Sequence, residues 1–368
     1  MDILILVYSY LIICVSMILF NIYCAVAIRY REKSRSKRSV KMYNEIKCQM
    51  DEIAISKPVC MYHEKYLKRT LVHVGNLLVF DRALERAFQD KPELAQEYIK
   101  EIYSVFIHLG FEYLEKDSIK AAYLAHVLGK YRIAKDLPID PIGEVMLAYL
   151  KFDSIYTRQN TLKALISFGN EEKVLLALKI IDRRKLYIHG KLLTNMLIEF
   201  TGDHENLTRI LYDNLDGFSD EIKLVILNYI RFVSSSYNEE MLGILKDESV
   251  NKELHFSAIR YFGRHAYKPS LPLLINFVKN SEDNWEYAAI SAVSLGSYRE
   301  QESIDALKQA LKSTNWHVRY NAAKSLKSLG VEYLNLIDII NGYDKYAREM
   351  LMYRIETNIS NGNSKVVN

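Results

Sequence analysis

"STNWHVRYNAAKSLKSLG", residues 313–330, sets Val318, Ala322, Leu326 and Leu329 on one helical face, places Arg319 beside them and stops at Gly330. Thirty-one residues earlier the same columns recur in "NWEYAAISAVSL", residues 284–295. Trp285 stands over Trp316, Tyr287 over Val318, Ala292 over Ala323 and Leu295 over Leu326. Followed backwards, the Leu326 column runs through Leu295, Phe262, Ile230, Leu197 and Leu165, in steps of 31, 33, 32, 33 and 32 residues. Each anchor helix precedes a second apolar-periodic stretch: "EEKVLLALKII", "ENLTRILYDNL", "NEEMLGILK", "SLPLLINFVKN", "SIDALKQALK" and finally "LNLIDII". A fixed period of this length, with two helices per unit, predicts an all-α chain whose units stack as an α-α solenoid. Ala258, Ala292, Ala322 and Ala323 are small enough to let neighbouring helices approach closely.

The segment "WHVRYNAAKSLKSLG" resembles the HEAT-repeat signature, a V-R-x-x-A-A-x-x-L helix. "WEYAAISAVSL" keeps the pattern with Ala288 in the Arg column, and "YTRQNTLKALISFG" (156–169) has Arg158 there with Leu165 as its anchor. The middle units put Gly190, Lys223 and His255 in that column. In HEAT proteins the Arg commonly bonds an acid or a turn carbonyl in an adjacent unit, so the resemblance implies that role for Arg158 and Arg319. His255 reads as a worn, surface-like position whose truncation is expected to cost under about 1 kcal/mol. The resemblance covers residues 117–345.

Upstream, "DSIKAAYLAHVLG" (117–129) reads as an earlier anchor helix, separated from the next by a Pro-containing turn in "DLPIDPIGE". Residues 61–116 read as a helical N-terminal cap. It carries two long helical patterns, with Pro92 at a first turn and Asp90 as its expected cap. Residues 346–368 read as a C-terminal helix and a frayed polar tail.

Residues 3–28, "ILILVYSYLIICVSMILFNIYCAVAI", contain no charge. At about 1.5 Å per residue they reach roughly 39 Å, against about 30 Å of bilayer hydrocarbon. The start Met1-Asp2 has no basic n-region, and the run is too long for a signal-peptide core, so residues 1–28 read as an uncleaved transmembrane anchor. Residues 29–60 then form a basic juxtamembrane segment and linker. Arg29, Arg31, Lys33, Arg35, Lys37, Arg38 and Lys41 face only Glu32. The positive-inside rule places this run in the cytoplasm and the N-terminus outside, and the same charges suit anionic membrane lipid.

The run from 29 to 41 carries +6 of the chain's formal +4, so with Asp2 removed the remaining residues 42–368 sum to −1. A near-neutral body lacks the basic footprint expected of a nucleic-acid binder. The four cysteines (Cys14, Cys24, Cys48, Cys60) include two in the apolar run and form no CxxC pair, so neither a disulfide framework nor a zinc site is expected.

Signatures of catalysis are missing. The chain has no G-x-x-x-x-G-K-[ST], HExxH or G-x-S-x-G; "HGKLLT" has Gly190-Lys191 without the glycine-rich lead. The HEAT-like deoxyhypusine hydroxylases hold di-iron with four His-Glu pairs at matching repeat positions. This chain has two, His63-Glu64 and His204-Glu205, one outside the repeats and one in a loop. No catalytic residue, cofactor or metal is therefore expected. The Trp pair flanks the buried face at the start of successive helices. It reads either as packing between units or as an exposed partner-binding edge formed by Trp285, Trp316, Tyr287 and Tyr320. The expectation is a non-catalytic scaffold held at the cytoplasmic face by one helix. Its partner would be a protein, such as a membrane-bound glycosyltransferase. The alternative is a HEAT-like enzyme, such as a DNA glycosylase or lyase, acting in a groove.

Overall fold

The computed structural model describes residues 2–114, 118–133, 140–280, 282 and 284–353, all of whose regular structure is helical. The expected turn before residue 140 and the tail from residue 354 lie outside them. The chain forms two compact units, Met1–Ala177 and Leu178–Asn368.

In the first unit, α1 (Asp2–Ile53) is one uninterrupted helix of 52 residues. It is the described helix long and apolar enough to cross a membrane, with an apolar window of mean hydropathy 2.6 that buries none of its surface. The helix continues through the basic run, and its last third becomes core. Met42, Tyr43, Ile46 and Met50 recur at helical spacing and are buried. They pack against two of the next helices, α2 (Met61–Thr70), α3 (Val74–Asp90), α4 (Pro92–Glu101) and α5 (Tyr103–Leu114), namely α3 and α4. Residues 42–53 are therefore not the expected linker. Their apolar stripe is short and interleaved with charge, so composition alone conceals it. Glu32 pairs with Arg82 at 2.6 Å and Arg38 donates to Asn76 Oδ1 at 3.2 Å, so contact with α3 begins about one turn beyond the uncharged run.

The long pattern expected over 62–89 is broken at residues 71–73, where Asn76 Nδ2 donates to the Thr70 carbonyl across the bend. Pro92 opens α4 as expected, but its N-cap is Lys91. Asp90 instead accepts a hydrogen bond from the Tyr43 hydroxyl, which recruits it away from the cap.

α6 (Ser118–Lys130) is tied to α3 through buried Asp81. That carboxylate accepts from Tyr123 Oη at 2.7 Å, Tyr131 Oη at 2.7 Å and Lys130 Nζ at 3.0 Å. Burial pushes the Asp81 carboxyl upward, but these donors outweigh it and leave the group below the usual carboxylate range. α7 (Pro141–Tyr149) is capped by Asp140, whose Oδ1 accepts from Gly143 N at 2.9 Å. It packs on α8 (Ile155–Phe168), which in turn packs on α6. The unit boundary falls inside α9 (Glu171–Arg183).

The second unit alternates anchor and intervening helices: α10 (Gly190–Ile198), α11 (His204–Asp213), α12 (Asp220–Val233), α13 (Asn238–Lys246), α14 (Lys252–Arg264), α15 (Leu271–Lys279), α16 (Trp285–Ser294), α17 (Gln301–Ala310), α18 (Trp316–Ser328) and the single turn α19 (Ile337–Ile340). The anchors α10, α12, α14, α16 and α18 each pack on the next, and α11, α13, α15 and α17 pack on the anchor that follows them. The anchor column Leu165, Leu197, Ile230, Phe262, Leu295 and Leu326 is wholly buried, as are Ala258, Ala292, Ala322 and Ala323. Gly330 stops α18 with φ +69°, a backbone region that costs glycine little.

The Arg column works differently from the ladder implied by the resemblance. Arg158 Nη1 donates to the carbonyls of Phe152 (3.1 Å) and Asp153 (2.9 Å), six and five residues before it. Arg319 repeats this on Ser313 (2.7 Å) and Thr314 (2.8 Å), so each Arg fastens the turn that leads into its own helix. Two residues on, Asn160 and Asn321 donate to Ala122 O (3.0 Å) and Ala289 O (2.8 Å) on the preceding anchor helix. An Arg-x-Asn pair thus ties both the entering turn and the neighbouring helix. Residues 345–353 are helical too, and Arg348 Nη1 reaches Gly342 O at 3.4 Å, the same offset of six.

His255 is corrected by the same geometry. It is 7% exposed and not surface-like. Its Nε2 lies 2.9 Å from Asp247 O and its Nδ1 2.8 Å from Tyr287 Oη. A carbonyl only accepts, so Nε2 carries a proton toward it, and in the neutral ring Nδ1 accepts from the tyrosine. The imidazole holds the entering turn much as Arg319 does, across a longer loop.

Candidate interaction surface

Trp285 and Trp316 open α16 and α18. The Asn315 side chain caps α18 by accepting from His317 N at 2.9 Å, and Arg319 fixes the turn just before it, so Trp316 projects from a braced helix start. Trp285 remains 43% exposed and Trp316 50% exposed. His317 lies between them, stacked on Trp285 (centroids 5.6 Å, 23°) and edge-on to Trp316 (5.2 Å, 84°). Trp316 in turn stacks on Tyr320 (4.8 Å, 23°). The rings thus form a packed row along an edge, and the two tryptophans keep about half their surface in water. Separately, the Arg319 guanidinium lies 5.5 Å from the centroid of exposed Tyr346.

Tyr287 does not join this edge. It sits half-buried two residues after Trp285, on a different side of α16, bonded to His255 and packed against Phe256 (4.9 Å) and Phe277 (5.0 Å). His317 belongs to the row but was not among the expected residues. The signal for His317 was its place beside Trp316 in a column already marked by Trp.

The expected membrane-surface residues Arg29, Arg31, Lys33, Lys37, Arg38 and Lys41 are exposed along α1, and Arg35 is half-buried beside Glu32.

The two His-Glu pairs serve local packing. His63 is buried with Nε2 2.7 Å from Tyr98 Oη, and burial lowers its pKa. Glu64 pairs with Lys68 at 2.7 Å, and this bond, then one from Ser104, holds its carboxyl low. His204 Nδ1 meets Tyr229 Oη at 2.9 Å, while Glu205 is exposed at the start of α11. Among the described residues no three His, Cys, Asp or Glu side chains converge to hold a metal. A groove of about 680 Å³ surrounds His189 and Gly190, lined mainly by Leu186, Tyr187, Ile188, Leu193 and Val225. Asp182, Asp220 and Glu221 also line it, and Asp182 is engaged with the Ser219 amide (2.9 Å) and hydroxyl.

No curated protein matches the sequence. The solved structure of human deoxyhypusine hydroxylase in complex with glycerol aligns over 80% of this chain and 95% of its own. Identity there is 14% and the TM-score 0.28, a likeness that carries no argument about fold or activity. A sequence family described as HEAT repeats matches residues 271–335, the stretch that contains both tryptophans, Arg319 and Asn321. With its anchor column buried and its Arg-x-Asn tie in place there, the stretch 271–335 is a run of HEAT repeats.

Proposed function

We propose that this chain is a non-catalytic scaffold tethered to a membrane by α1, whose stacked repeats form a solenoid that docks a protein partner on the aromatic edge of α16 and α18. The observation that carries the reading is the row Trp285–His317–Trp316–Tyr320, pre-stacked and about half exposed at its tryptophans. Such a row offers large, rigid apolar area at little entropic cost, the character of a binding hot spot. The uncharged run followed by the basic segment supports the tether, with the N-terminus outside and the repeats in the cytoplasm. A tethered scaffold gains effective concentration toward clients in the same membrane, so the partner proposed is a membrane-bound enzyme or its cytoplasmic domain.

The test is a pull-down of the full-length protein from detergent-solubilised membranes, beside a Trp285→Ala/Trp316→Ala variant. The reading expects a partner that is lost from the variant while its helical circular dichroism is unchanged. Retention of every partner by a folded variant would remove the edge from the interface. Membrane attachment is checked separately: the protein should resist alkaline carbonate extraction, and its release into the soluble fraction would reject the tether.

A further inference from the structure

The near-neutral sum of residues 42–368 conceals a local imbalance. On the face of the anchor helices in the second unit, Arg231 at the end of α12 and Arg260 and Arg264 on α14 converge on one open cleft of about 500 Å³. Ile290, Val293 and Asn321 complete its lining from α16 and α18. Among the described residues none of the three guanidiniums makes an ion pair or a side-chain hydrogen bond. Aromatic faces orient them instead. Arg231 and Arg264 lie 4.7 and 5.1 Å from the Phe232 centroid, and Arg260 lies 6.0 Å from that of Phe256. Glu253 acts on Arg260 from beyond ion-pair distance. Burial, then the facing charges of Arg260 and Arg264, depress the Arg231 guanidinium, so the cluster repels itself as it stands.

We propose that the Arg231–Arg260–Arg264 cleft binds a phosphoryl group. Three cations without a carboxylate partner call for an anion of more than one charge. A phosphate monoester brings about −1.5 to −2 and three acceptor oxygens, whereas one carboxylate brings a single charge and two. The planar forks suit bidentate bonding to such oxygens, and because aromatic stacking already positions them, little freedom is lost on binding. The rim is apolar: Phe232 is 40% exposed and Val293 47% exposed. A soluble phosphorylated compound or the headgroup of an anionic phospholipid would supply the same chemistry. This inference does not depend on the aromatic edge.

The experiment is isothermal titration of the full-length protein in neutral detergent at fixed ionic strength. The probes are inorganic phosphate, dihexanoyl phosphatidic acid and a tetraglutamate peptide. The comparison variants are Arg260→Gln/Arg264→Gln, at exposed positions, and Lys324→Gln, a basic control outside the cleft. Circular dichroism confirms that each is folded, and the basic run of α1 is identical in all three proteins. Binding of at least one phosphate probe is expected, weakened roughly tenfold or more in the double arginine variant, the scale of a lost charge-assisted hydrogen bond, and unchanged by Lys324→Gln. Phosphatidic acid alone binding in this way assigns a lipid headgroup, and inorganic phosphate alone a soluble ligand. Binding by neither, or loss that is equal in the Lys324→Gln control, would overturn the proposal. So would tetraglutamate binding where both phosphate probes fail.

Discussion

Replacing His255 with Ala tests the reading of the Arg column where sequence and structure disagree most. The imidazole is nearly enclosed, so its removal leaves a hole lined by Tyr287, whose ring centroid lies 5.9 Å away. A modest cavity of this kind costs about 1–2 kcal/mol. The Tyr287 hydroxyl loses its acceptor in a half-buried place, worth about 1 kcal/mol more. The Asp247 carbonyl lies near the surface, where water replaces the lost donor, and adds little. The sum is about 2–3 kcal/mol, which for a unit of this size lowers Tm by roughly 4–12 °C. Thermal unfolding of the full-length protein in neutral detergent, followed by far-ultraviolet circular dichroism, reads the shift. Lys324→Ala serves as the exposed control, and Tyr287→Phe with the double variant isolates the hydroxyl, for which a coupling of about 1 kcal/mol is expected. A His255→Ala shift no larger than that of Lys324→Ala would refute the assignment and restore the worn-column reading.

Leu326→Ala, in the wholly buried anchor column, is expected to destabilise by about 2–5 kcal/mol in the same assay, and a cost under 1 kcal/mol would contradict its place in the core. A Cβ added at Gly263 would lie 2.6 Å from Ser294 Oγ and 3.0 Å from Ser294 Cα, so Gly263→Ala should cost about 1–3 kcal/mol despite alanine's better helix propensity; a stabilised variant would show that α14 and α16 are not so close. Asp81→Asn should lose about 1–3 kcal/mol at neutral pH by weakening the bonds from Tyr123, Tyr131 and Lys130. Because the folded Asp81 carboxyl is held below its usual value, that contribution is complete above the unfolded value near 3.9 and fades as pH falls through the folded one. The gap between wild type and Asp81→Asn should therefore close below about pH 4, and a gap constant with pH would mean that the carboxylate's charge is not what the three donors recognise.

The period of 31 to 33 residues was enough to establish the repeat, because each unit buries the same face against the next and the column that does so must stay apolar. All six anchor residues obey it. The uncharged run at 3–28 and the basic run after it were equally legible, since both depend on composition along the chain. Tertiary structure decided what depends on partners distant in sequence. The apolar stripe of residues 42–50 became core only because α3 and α4 lie against it, and the Arg-x-Asn pair acquired two separate roles only once its carbonyls were in place. Identity of residue type also misled at His255, where an imidazole fills the Arg column by reaching the same kind of carbonyl. Charge shows the division most plainly: a sequence sum of −1 averages over the whole surface, whereas folding gathers Arg231, Arg260 and Arg264 into one cleft, because residues 29 and 33 positions apart share a helical face only after α12 has packed on α14.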